Sequence, residues 1–143
     1  MARALLREVR GRDEIRAALG KADAADLAHA ELAARYDWRL WAHSKQTEPA
    51  GRWRWWFILS GRGFGKTRCG AATTRLRVKR GQARRVGLVG PTARLVRETM
   101  VEGPDGILAR SEPWFTPRYE PSKTRLTWPN GAIGTTLSAD GPA

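Results

Sequence analysis

Apolar and polar positions alternate along the chain in blocks of different period, and the blocks predict the elements. Residues 1–35 are rich in Ala, Leu and charge, with Leu5, Val9, Ile15, Leu19 and Leu27 at loosely helical intervals broken by Gly11 and Gly20. They predict two or three amphipathic pieces forming a helical N-terminal extension. Trp55–Leu59 is an unbroken apolar run enriched in aromatic and branched residues, the pattern of a strand buried on both faces of a parallel sheet. From Thr67 the period turns helical, with Cys69, Ala72, Thr73 and Leu76 at i, i+3, i+4 and i+7, and with Gly81 as the stop after a basic last turn. Arg85–Val89 reads as a second buried strand, and Thr92 as the cap of a helix running to about Val101. In "KTRLTWPNGAIGTTL", Asn130 and Gly131 predict the positive φ angles of a tight hairpin turn. Strand, loop, helix, strand, helix is the start of an α/β sheet.

The 143 residues suit one ordinary domain with its own core. Five of the seven tryptophans lie between Trp38 and Trp56, around a loop marked by Pro49 and Gly51, and such rings serve more often as core and loop anchors than as a stacking platform for bases. A single cysteine, Cys69, excludes an internal disulfide and a Cys-based metal site, and reads as cytosolic. No apolar run approaches the roughly 18 residues of a membrane span, and the N-terminus lacks the apolar core of a secretory signal.

Charge changes the picture. The formal net charge is +12; residues 1–45 hold nine basic and seven acidic side chains, a net of +2, and residues 46–143 hold seventeen and seven, a net of +10. So large a like-sign field attracts polyanions. The cations crowding one helix end, Arg75, Arg77, Lys79, Arg80, Arg84 and Arg85, are the candidate duplex DNA contacts, against the plain alternative of a solvated helical face.

The densest chemistry is "SGRGFGKT", residues 60–67. Between a strand and a helix, Gly61, Gly63 and Gly65 let successive backbone N–H groups turn inward with no side chain in the way, and the concavity fits a phosphate. Lys66 can reach the β and γ phosphates, the Thr67 hydroxyl can hold Mg²⁺, and the helix N-terminus adds positive potential. Gly61, Arg62, Gly63, Phe64, Gly65, Lys66 and Thr67 therefore form a candidate ATP site, with Ser60 where the usual pattern begins with Gly.

The string "DWRLWAHSKQTEPAGRWRWWFILSGRGFGKTRCGA", followed by "RRVGLVGPTARLVRETMVEGPDGIL" and "RLTWPNGAIGTTLSA", resembles the N-terminal ATPase region of the large terminase subunit of tailed bacteriophages, from about Tyr36 to Ala139. The resemblance implies a P-loop NTPase fold of the additional-strand type over residues 36–143. It also implies ATP and Mg²⁺ as cofactors, Lys66 and Arg62 as the catalytic groups of the loop, and Gln46 as an adenine contact. The implied partners are double-stranded DNA, the small terminase subunit and the portal, with assembly as a homo-oligomer on the portal in the cytoplasm of a bacterial host. The family continues into an apolar strand ending in Asp-Glu and then a nuclease domain. No acidic residue after Thr92 follows an apolar run of four, and no paired carboxylates suit a two-metal centre. The chain therefore reads as an incomplete domain, truncated before that strand, with ATP binding and little hydrolysis expected. The rivals are a non-catalytic basic nucleic-acid-binding protein with a vestigial P-loop, and a helicase fragment.

Overall fold

A computed structural model describes Leu32 and residues 34–140. The expected helical extension thus lies almost wholly outside the described residues. The chain divides into two compact units, Met1–Leu40 and Trp41–Ala143. The glycine loop, the sheet and the helices around it all belong to the second.

Helix α1, Lys66–Lys79, forms where the helical period begins. Its buried residues are Cys69, Ala71, Ala72, Arg75 and Val78, whereas Thr73 and Leu76 of the expected apolar face are only half-buried. It stops as its residues dictate. Gly81 adopts φ 72°, its N–H bonds to the Val78 carbonyl at 3.0 Å, and the Gln82 N–H bonds to the Arg77 carbonyl at 2.9 Å, which is a Schellman closure.

The sheet has four strands in the order β1-β4-β3-β2: β1 Arg85–Gly90, β2 Arg118–Glu120, β3 Arg125–Thr127 and β4 Ile133–Ser138. Only β1 and β4 run parallel, with Val86 opposite Gly134 and Leu88 opposite Thr136; the other two pairings are antiparallel. The expected parallel sheet core with a separate β-hairpin is instead one small mixed sheet, because the hairpin joins β1 directly and brings its antiparallel partners with it. The hairpin turn also differs in detail. Gly131 has φ 81° and donates to the Trp128 carbonyl at 2.9 Å, while Asn130 keeps an ordinary negative φ. Pro129 holds the first central position, where its ring fixes φ near −65° and excludes a turn with two positive angles. Asn130 instead spends its side-chain amide on the Val78 carbonyl, 2.9 Å away, pinning the turn to α1.

Between β1 and β2, Thr92 caps helix α2, Ala93–Leu95, as expected, its hydroxyl accepting from the Leu95 N–H at 3.2 Å. Ala93–Leu95 then widens into a π-helical stretch, Val96–Val101, after which the Glu102 N–H reaches back five residues to the Arg97 carbonyl at 2.9 Å. A short helix α3, Ile107–Arg110, follows. Val78, Val101, Ile107, Leu126, Trp128 and Ala132 form the core, with Val86, Leu88 and Tyr119 packed against it from one face of the sheet. On the opposite face the register partners Val89 and Leu137 are exposed.

Trp55–Leu59 is not a strand. No described residue bonds to its backbone, and its side chains alternate: Trp56 and Ile58 are half-buried, whereas Trp55, Phe57 and Leu59 are 74, 77 and 94% exposed. A strand exists through its ladder, and the described residues offer this segment none.

Candidate phosphate-binding loop

Ser60 to Lys66 link that segment to α1. Gly63 and Gly65 take φ 80° and 83°, angles that L side chains rarely adopt, so the glycine spacing is used for a doubly left-handed bend. Gly65 is also the N-cap of α1, and it supplies no side-chain cap. No acidic residue stands in the first turn, and the N–H groups of Lys66 and Thr67 find no acceptor among the described residues. The first helical bond is from the Cys69 N–H to the Gly65 carbonyl, at 2.9 Å. A fourteen-residue helix thus presents uncapped amides and its positive dipole end beside the loop.

Lys66 is exposed and folds back over the loop, its Nζ donating to the carbonyls of Ser60 at 2.9 Å and Gly61 at 2.8 Å. Ser60, at the position where glycine is usual, also lies with its hydroxyl oxygen 3.4 Å from that ammonium. Arg62 and Thr67 are exposed, and neither side chain bonds to a described residue. The loop therefore gathers two cations, a hydroxyl and uncapped amides on one exposed bend.

Gln46 is 6% exposed and packs under the loop. Its Nε2 donates to the Phe64 carbonyl, its Oε1 accepts from the His43 N–H at 2.9 Å, and its own carbonyl accepts from the Cys69 thiol at 3.0 Å. Burial pushes the Cys69 thiol above its ordinary pKa, so it is a donor here rather than a nucleophile. Sequence reasoning missed Cys69 and His43 as supports of the loop: the Cys69 thiol meets Gln46 across 23 residues, and the local His43 bond uses a backbone N–H that no side-chain pattern announces.

The six cations past the loop separate. Arg75 is buried, with Nη1 donating to the Arg110 carbonyl at 2.8 Å and lying 3.4 Å from Glu112. Lys79 pairs with the same carboxylate at 2.6 Å and lies 5.7 Å from the centre of the Phe115 ring. Arg77 pairs with Glu48 and stacks on Trp53 at 4.5 Å. The expected six-residue basic surface is thus corrected to three members, because burial and ion pairing hold the others: Arg80, Arg84 and Arg85 are exposed, and none of their guanidinium groups pairs with a described carboxylate.

An open cavity of about 550 Å³ lies elsewhere, lined by α2, Tyr119 and Thr136. Its charges satisfy one another, Arg94 with Glu98 at 2.7 Å and Arg97 with Glu102 at 2.8 Å. Among the described residues no group of three His, Cys, Asp or Glu side chains could hold a metal, and no helix is long and apolar enough to cross a membrane.

Comparison with the curated proteins and with the solved structures finds no match. Comparison with family models finds one, the terminase large subunit, T4likevirus-type, N-terminal, matched over residues 57–142. That span begins at the loop's leading segment and runs through α1, the π-helical stretch and the hairpin. It covers more than half of the 143 residues, so the chain belongs to the N-terminal family of T4-like terminase large subunits.

Proposed function

We propose that residues 61–67 bind the phosphates of ATP with Mg²⁺, as the nucleotide-binding part of a subunit that drives double-stranded DNA into a prohead. Family membership supports a role in phage DNA packaging. One observation carries the reading of the site: Gly63 and Gly65 stand at φ 80° and 83° directly before a helix with no side-chain cap and no acid in its first turn. Backbone amides at such a bend and helix end suit an anion.

Lys66 and Arg62 are the cations of this site. Lys66 would exchange its two loop carbonyls for phosphate oxygens, a charge-assisted contact in place of neutral ones. Thr67 would offer its hydroxyl to the metal, which when bound draws charge from the terminal phosphates. Arg62 would meet the same charge from the exposed side. Binding without rapid turnover is the proposed behaviour, because no acidic residue after Thr92 follows an apolar run of four. Arg80, Arg84 and Arg85 form the proposed DNA contact, and the portal and the small terminase subunit are the proposed protein partners.

The test is calorimetric titration with ATP and Mg²⁺. Lys66→Ala should weaken binding by about 1.5–3 kcal/mol, roughly 10- to 150-fold. Equal affinity in both proteins would overturn the site.

A further inference from the structure

We infer that Gln46 is a positioning residue for the glycine loop, setting which way the Phe64–Gly65 peptide faces, and that it does not read the base. The inference rests on the phosphate-binding reading of residues 61–67.

Gln46 is more than nine-tenths buried, and both ends of its side-chain amide are in use. Nε2 donates to the Phe64 carbonyl and Oε1 accepts the His43 N–H at 2.9 Å. Its backbone is held as well, the Gln46 N–H bonding to the His43 carbonyl at 2.8 Å and its carbonyl accepting from Cys69, in the first turn of α1, at 3.0 Å. A base edge would have to displace these bonds and enter a covered site.

The Phe64 carbonyl belongs to the same planar unit as the Gly65 N–H, and in a trans peptide the two point in opposite directions. Binding the carbonyl on the buried side therefore turns the Gly65 N–H toward the exposed side, where the loop would meet an anion. Nothing in the covalent chain enforces this. Residue 65 is glycine, for which both signs of φ are accessible, so the peptide can flip by a compensating rotation at ψ of Phe64 and φ of Gly65. Flipped, it would aim a carbonyl oxygen at the phosphate. The Gln46 amide selects the competent orientation, and the fit is close: a Cβ on Gly65 would lie 3.1 Å from Nε2.

Tripolyphosphate, which has no base, separates the roles. With Mg²⁺ present and well below the melting temperature, Gln46→Ala should weaken tripolyphosphate and ATP by the same factor, roughly 2- to 12-fold, and leave the ATP-to-GTP ratio unchanged. Gln46→Glu keeps the acceptor for His43 but loses the donor to Phe64, and should lose at least as much. Loss of ATP affinity alone, or no loss for either ligand, would overturn the inference. Independently of any variant, the side-chain amide NMR signal of Gln46 in the unaltered protein should respond alike to tripolyphosphate and to ATP; a response to ATP only would assign the residue to adenine. If the unaltered protein bound neither ligand, the phosphate-binding reading would itself fall, and this inference with it.

Discussion

Trp55–Leu59 and Arg85–Gly90 carry nearly the same apolar signal and end in different structures. Val86 and Leu88 turn one face of β1 into the core while β4 satisfies the backbone in parallel register. Ile58 and Trp56 also turn inward, but no described residue bonds to their backbone, and Trp55, Phe57 and Leu59 stand in solvent. Side-chain pattern sets which residues prefer burial, whereas a strand also needs a neighbour for its N–H and C=O groups. The loop at the end of the unladdered segment is the candidate site; the laddered region forms the scaffold.

Truncating the core should show the contrast at its largest. Ile107→Ala, at a site 2% exposed, should cost about 2–5 kcal/mol in urea unfolding, whereas Leu59→Ala, at 94%, should fall within about 0.5 kcal/mol of the parent. A Leu59 variant as damaging as the Ile107 one would show a covering layer over residues 55–59.

The buried ion cluster should give an effect of the same size. Glu112→Ala leaves Arg75 buried without its carboxylate and should cost about 3–5 kcal/mol. The same loss from Arg80→Ala would mean that this exposed arginine belongs to the scaffold too.

The charged surface should be silent in stability and visible in salt dependence. Replacing Arg80, Arg84 and Arg85 by Gln should reduce the slope of log affinity against log salt, on a random-sequence duplex, by about 2.7. An unchanged slope would assign these side chains to solvation.

Smallest of all, and kinetic, is the thiol. Burial raises the Cys69 pKa and so depletes its thiolate, and alkylation at pH 8 should run well below the rate of an unfolded control. A rate equal to that control would show that the segment carrying Gln46 does not stay docked on α1.

Much of the scaffold was legible in the sequence, and the reasons are local. The helical period that opens α1, the Gly81 stop, the Thr92 cap and the hairpin each follow from spacings within a few residues. Strand β2 was not legible: Arg118–Glu120 is three residues of polar and aromatic character, a strand only because β3 lies beside it. The π-helical widening at Val96–Val101 also left no mark, since its apolar residues suit an α-helix equally well. At the site, the glycines and Lys66 could be read directly, because positive φ and a cation at a helix start are properties of single residue types. The support from Gln46, His43 and Cys69 depends on tertiary contacts. The arginine run misled for the same reason: Arg75 is buried because the opposing Glu112 and the Arg110 carbonyl receive its charge, and neither contact is visible in the spacing.

Amide hydrogen exchange on the full chain, with and without ATP and Mg²⁺, tests the central claim most directly, because the loop is proposed to bind through its own N–H groups. Exchange should slow at residues 61–69 and stay unchanged in β1 and β4. Slowing confined to other residues, or none at a saturating nucleotide concentration, would contradict the account.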